Sequence, residues 1–456
     1  MSQAPSFLLK HLCAAVALAL GTVPALAARC VDEENFETAP ASDGSSAAAP
    51  DPRGQLAEMV REALNRSQAI GAAQLVAEAA LQDVAEARAA KAIQASIGGT
   101  VGPNASQSAG ITETAAVQAR ATLSVSQLLY DGGRVDRLAD WRTQLAESAR
   151  YGALSQQEQV AATTVALALE RSRYRMQILV YGQYARKMGC LVEALETIVR
   201  ADRGRASELV QAKKSLQQAE LSMTQAQSQA RQVDVRLRRF VGDGLPGVQG
   251  LASVLLAVPD MATLQEDVER SAEVAQLGAQ VAAAERFARA AEAQGKPQVS
   301  WTFGGNKGTA TGGTVTPSSS ARSAGISLGI AINIPLLNPG VDASSEAARK
   351  RAQALVLQRA DAVESRRFRV AEVHEQTLSA FDRARRVGAV LRDSEQVRNF
   401  TLQQWQQLGR RSLFDVMAAE GDHYNLRVSY VNAIHDGEQL NAILLSLGRG
   451  VTEWLR

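Results

Sequence analysis

The chain has 456 residues, room for two or three ordinary domains or one elongated one. Its 49 Lys+Arg and 47 Asp+Glu nearly cancel, which argues against a nucleic-acid binder, since such proteins carry a basic surplus. Aromatic residues make up only 4% while Ala, Gln, Glu and Arg abound, a composition suited to helices packed through small side chains rather than to a bulky globular core.

Residues 1–27 read as an export signal: Lys10 provides the positive region, Leu12 to Leu20 a short apolar stretch, and Ala25-Leu26-Ala27 a small-x-small cleavage pattern. The apolar stretch is shorter than the ~20 residues a spanning helix needs. Arg29 stands where a lipidation motif wants a small residue, which argues against lipid attachment at Cys30. Cleavage would leave Cys30 and Cys190, too few for a disulfide framework. Residues 28–54, rich in Ala, Ser, Pro and acidic side chains, read as a flexible leader.

From there the chain repeats itself at an interval of about 205 residues. Ser67 matches Ser271, Gly98-Gly99 matches Gly304-Gly305, Gly133 matches Gly340, Gly204-Arg205-Ala206-Ser207 matches Gly409-Arg410-Arg411-Ser412, and Gly242 matches Gly448. The expected organisation is a first repeat over 55–245, a connector over 246–260, a second repeat over 261–450 and a short tail over 451–456. Each repeat should run helix, strand, strand, very long helix, helix. In the first, Val117, Ala119, Ala121, Leu123 and Val125 alternate with Gln118, Arg120, Thr122, Ser124 and Ser126. In the second, Ile326, Leu328, Ile330, Ile332 and Ile334 alternate with Ser327, Gly329, Ala331 and Asn333. Shorter partner strands are expected at Ile93, Ala95, Ile97 and at Val299, Trp301, Phe303, with Gly/Ser/Thr-rich loops over 102–116 and 306–322.

Such alternation fits either a soluble sandwich or a membrane barrel, and the helices decide between them. Leu209, Ala212, Leu216, Ala219, Met223, Ala226, Ala230, Val233, Leu237 and Phe240 step by three and four, the seam of a coiled coil. Tyr424, Val428, Val431, Ile434, Leu440, Leu444 and Leu447 form a second stripe. Between Arg134 and Arg203 there is no proline, so one helix there would be roughly 105 Å long against a hydrocarbon core of ~30 Å. Four two-faced strands cannot close a barrel, because closed barrels begin at about eight strands. The chain is therefore expected to associate with its own copies, three for preference.

On these residues the chain resembles the TolC-type outer-membrane efflux and secretion channel family. Gln407-Leu408-Gly409-Arg410-Arg411-Ser412-Leu413-Phe414-Asp415-Val416-Met417 is similar to the family's second periplasmic turn. Leu128-Leu129-Tyr130-Asp131-Gly132-Gly133-Arg134 and Ile334-Pro335-Leu336-Leu337-Asn338-Pro339-Gly340 are similar to its strand-to-helix junctions. The resemblance implies a mainly α fold with a small β part: duplicated long antiparallel helices forming an α-barrel tunnel, and four strands per chain contributing to a trimeric 12-strand transmembrane β-barrel. It implies a homotrimer in outer-membrane lipid that extends into the periplasm. The partners implied are a periplasmic adaptor (a membrane fusion protein) and an inner-membrane ABC or proton-driven transporter, with type I protein secretion as the first reading of cargo and small-molecule efflux as the alternative. Gly204, Arg205, Ala206, Ser207, Gly409, Arg410 and Ser412 would form the adaptor-docking tips; Arg411, Asp415 and Gln406 would form the pore entrance, with Asp415 supplying a ring of carboxylates. The family's second acidic ring falls on Ala418 and its gate tyrosine on Gln406, while the partners of the gate arginine fall near Leu209 and Val210, so the closed-state lock cannot be the family's own.

No enzyme is expected. His11, His374, His423 and His435 form no two-histidine helical motif, Gly304-Gly305-Asn306-Lys307-Gly308 lacks phosphate-loop spacing, and no catalytic, cofactor-binding or metal-binding constellation is apparent. A periplasmic coiled-coil adaptor or structural protein is the competing class; the tandem repeat argues against it.

Overall fold

The structure is a computed structural model that describes residues 51–456 except 109–110, 246, 248–250, 312–320 and 409, with the side chains of 104–116, 252, 310, 311, 321 and 408 also left aside. The expected export signal, Cys30 and Gly409 lie outside the described residues. Elements follow in the order α1 Pro52–Arg66, α2 Gln68–Ala89, β1 Gln94–Ser108, β2 Ile111–Tyr130, α3 Arg134–Ala201, α4 Ala206–Val241, α5 Met261–Arg270, α6 Ala272–Glu292, β3 Gln298–Thr311, β4 Ala321–Asn333, α7 Pro339–Leu408, α8 Leu413–Leu447 and α9 Val451–Leu455. α1 begins inside the stretch assigned to the leader. The expected tail forms α9, whose Val451 is fully buried.

α3 has 68 residues and α7 has 70. Gly152 and Gly182 lie inside α3 without ending it, since a lone glycine costs only about 1 kcal/mol relative to Ala. Two pairs of the repeat landmarks fall at equivalent places. Ser67 and Ser271 are the N-caps of α2 and α6, and Gly242 and Gly448 close α4 and α8.

The chain divides into two compact units. The first gathers α1, α4, α8, α9 and the adjoining parts of α3 and α7. Leu56 and Met59 of α1 pack with Leu167 and Ala168 of α3 and Val233 and Leu237 of α4. Val60, Ala161, Val165, Leu169, Leu255, Ala442 and Val451 continue that core. On α4 the seam positions Ala212, Ala219, Ala226, Ala230, Val233 and Leu237 are buried, and their small side chains allow close helix packing.

The second unit holds α2, α6, the sheet and the remaining parts of α3 and α7. Its buried helical positions are largely alanines, among them Ala139, Ala146, Ala279, Ala283, Ala348 and Ala352, with Trp141 set against Phe287 at 4.9 Å between centroids. The sheet is antiparallel in the order β1-β2-β3-β4, so β1 and β4 are both edges. Its strands are longer than the sequence suggested: β1 and β2 run through most of 102–116, and β3 and β4 through parts of 306–322 that were expected as loops. Ladder pairing is a backbone property, and Gly, Ser and Thr continue it once a partner is in register. Ile93, in turn, lies just before β1.

Candidate functional site

Register places alternate residues in rows that cross all four strands. Ile97, Leu123, Gly305 and Ile326 share one row; Ala95, Val125, Phe303 and Leu328 share the next on the same face. Gln127, Trp301 and Ile330 follow, then Tyr130, Val299 and Ile332. This face is apolar and uncovered: Ile97, Ile326 and Leu328 are 82, 82 and 76% exposed. The opposite face carries Ser96, Gly98, Ser124, Thr122, Thr302, Gly304 and Ser327, with Ser96 and Ser124 hydrogen-bonded at 2.9 Å. A sheet with one exposed apolar face and a polar face opposite it inverts the logic of a soluble protein.

The apolar face is bounded at both ends. Towards α3 lie Tyr130 and Trp301, the indole Nε1 donating to Gln127 Oε1 at 3.1 Å, the amphipathic arrangement aromatic side chains take at a membrane interface. At the other end Lys307 and Arg322 appear on the same face. From the Ile332 row to the Lys307 row is about 27 Å along the strand, or about 21 Å in height at a tilt of ~40°. A barrel's apolar band is ~25 Å tall. No helix among the described residues is long and apolar enough to cross a membrane, and that has no bearing on the sheet.

The strand-to-helix junctions are built by capping. Asp131, 3% exposed, accepts from the Gly133 amide at 3.0 Å and the Val135 amide at 2.7 Å, which fixes the turn into α3. Gly132 and Gly133 have φ of 66° and 79°, the left-handed region, and a side chain on Gly132 would collide with Lys296. In the second copy Pro335 lies between β4 and α7, Pro339 takes the first helical position, and the Asn338 carbonyl accepts from the Val341 amide at 3.0 Å ahead of Gly340.

The two tip turns lie in the first unit, over one apolar cluster of Val192, Leu195, Ala212, Leu413, Val416 and Met417. Gly204, Arg205, Ala206 and Ser207 are all exposed, as are Gln406, Arg410, Arg411, Ser412 and Asp415. The first turn is shaped by Asp202, whose Oδ1 accepts from the Gly204 amide at 2.9 Å. The second is shaped by Gln404, whose carbonyl accepts from the Arg410 amide and whose Oε1 accepts from Arg411 Nε, each at 3.2 Å. Neither Asp202 nor Gln404 belongs to the turn segments that resemble the family, although an Asp two residues before a Gly is a turn signal. Arg411 therefore engages Gln404. Asp415 instead completes a capping box with Ser412: its carboxylate accepts from the Ser412 amide at 3.1 Å, and Ser412 Oγ accepts from the Asp415 amide at 3.2 Å.

A buried charge cluster in the first unit joins three helices. Glu420 of α8, 1% exposed, lies 3.8 Å from Lys187 Nζ of α3 and 4.0 Å from Arg398 Nη1 of α7. Arg171 pairs with Asp234 at 2.7 Å; burial lowers the guanidinium's pKa, and the Asp234 hydrogen bond opposes that. His435 is pushed down by burial, its ring bonded to the Val431 carbonyl and Ser172. Cys190 is disulfide-bonded. Among the described residues no grouping of three or more His, Cys, Asp or Glu could hold a metal ion.

No protein-family model and no curated protein matches the chain. Solved structures do. CusC, whose crystal structures record conformational changes accompanying folding and transmembrane channel formation, superposes with a TM-score of 0.74 at 18% identity, over 87% of this chain and 92% of that one. The outer membrane protein VceC of Vibrio cholerae gives 0.71 at 19%, over 87% and 96%. The open state of the Neisseria gonorrhoeae MtrE outer membrane channel gives 0.69 at 16%, over 87% and 89%. The chain has the TolC-type fold of outer-membrane channels.

Proposed function

We propose that a chain with this fold is one protomer of a homotrimeric outer-membrane export duct, passive in itself and driven by a periplasmic adaptor and an inner-membrane transporter. The observation that carries the reading is the four-stranded sheet. Its outward face is apolar, its other face polar, and both edges present unpaired backbone groups. Each such group left unpaired in hydrocarbon costs several kcal/mol, so the edges must be closed by other strands. Three copies supply 12 strands, enough for a water-filled lumen.

The exposed turns around Gly204 and Arg410 to Ser412 are the docking tips in this reading, and Arg411, Gln406 and Asp415 stand at the pore entrance. Type I protein secretion is the first reading of the cargo, resting on the Gly204-Arg205-Ala206-Ser207 turn; small-molecule efflux uses the same architecture. The adaptor and pump that co-purify with the chain separate the two. The duct itself is tested by fractionation and electrophoresis. Heat-modifiable, SDS-resistant trimers in the outer-membrane fraction support it, and a freely soluble monomer refutes it.

A further inference from the structure

On the polar face of the sheet one residue differs from all its neighbours. Among the described residues every other position on that face is uncharged, mostly Gly, Ser, Thr, Asn or Gln; Arg120 of β2 is the only charge. Its row is Thr100, Arg120, Gly308 and Ser323, so the side chains beside it are short or absent. The guanidinium is exposed, and no carboxylate stands on that face among the described residues to neutralise it. A cation placed alone among small polar side chains contributes nothing to sheet pairing and cannot be a structural ion pair.

We propose that Arg120 sets the charge preference of the β-barrel lumen, favouring anionic solutes. The inference rests on the duct reading, in which the polar face lines water and three copies place three guanidinium groups in one ring. A 12-strand barrel has a backbone radius of about 12 Å, and an extended arginine reaches about half of that towards the axis. The three charges then lie within one Debye length, ~8 Å, of the axis at physiological salt. Three screened unit charges at about 6 Å in water-like dielectric enrich a monovalent anion at the axis by about fivefold and deplete a cation equally. Short neighbours matter here, because they keep the lumen wide and leave the ring as the only fixed charge among the described residues of that wall.

The test is reversal potential in a KCl gradient across planar bilayers holding the purified full-length channel, compared between variants because the entrance carboxylates act in series. Arg120→Gln should lower the chloride-to-potassium permeability ratio, Arg120→Glu should lower it further, and Arg120→Lys should keep it near wild type. All three should assemble as SDS-resistant trimers, since the side chain is exposed among short neighbours. Equal reversal potentials for wild type and Arg120→Glu, in assembled channels of ordinary conductance, overturn the inference while the duct stands. A wild-type protein that forms no channel overturns both.

Discussion

Glu438 gives the chain a pH dependence that can be worked through. It lies on α8 with no exposed surface, against the 251–257 segment, where Asn441 one turn later donates from Nδ2 to the Leu255 and Ala257 carbonyls at 2.7 and 2.8 Å. Desolvation pushes the Glu438 pKa up from 4.5 to about 8, opposed by the Leu255 backbone, and neither carboxyl oxygen completes a hydrogen bond. The folded state thus holds the proton more tightly than the unfolded chain. Stability from this residue is fully present below about pH 4.5 and is lost as pH rises towards 8. At 1.36 kcal/mol per pH unit the loss by pH 7 is roughly 3 kcal/mol. For a unit of this size that is a fall of about 6–12 °C in melting temperature. His435, three residues away, has the opposite sign: its lowered pKa favours folding as pH rises through the histidine range, and it offsets part of the slope. Thermal melts followed at 222 nm between pH 4.5 and 8.5 in detergent therefore compare wild type with Glu438→Gln. The variant should lose most of the downward slope while keeping the histidine contribution. Identical slopes in both proteins would show that the buried carboxyl is not the proton store.

Other consequences concern the turns. Ser412→Ala removes one half of the capping box and should cost about 1 kcal/mol, read as roughly fivefold faster amide exchange over Leu413–Met417. Asp415→Ala should loosen the same segment and also alter conductance or cation block; if Ser412→Ala changes block equally, Asp415 acts only as a cap. Gly132→Ala should destabilise the β2–α3 turn by about 1–2 kcal/mol through both its φ and the Lys296 contact. Gly133→Ala, with open space around it, should cost less, and equal heat lability of the two trimers would remove the steric argument. Inserting a bulky loop after Ser207 or Ser412 should abolish export without reducing trimer yield; export that survives both insertions would exclude these turns as the docking surface.

Much of this was written in periodicities that a linear sequence preserves. Alternation over 117–125 and 326–334 identified the faces, the heptad steps of α4 identified its buried seam, and paired glycines at 242 and 448 fell on helix ends. The rest depends on partners distant in sequence. The Gly/Ser/Thr stretches flanking the hairpins look like loops until a neighbouring strand supplies the ladder. Glu420, His423, Arg427 and Glu438 look like a solvated face, yet all are buried by segments distant in sequence. At the tip, Asp415 has the composition of a pore carboxylate and the geometry of an N-terminal cap, and only coordinates distinguish the two contacts. Asp202 and Gln404 shape the turns from outside the resembling segments.

Closure of the sheet by sister chains can be tested by cross-linking its two edges. Within one chain β1 and β4 are three strand spacings apart, about 14 Å, beyond the ~7 Å limit for bridging cysteines. In a cysteine-free background, Ile97→Cys is paired in turn with cysteines at Arg322, Ala324, Ile326, Leu328, Ile330 and Ile332, the outward positions of β4. At the register where the edges meet, oxidation should give covalent dimers and trimers and nothing larger. A chain that stays monomeric at every register, or that climbs into an unlimited ladder, would contradict the closed three-chain barrel.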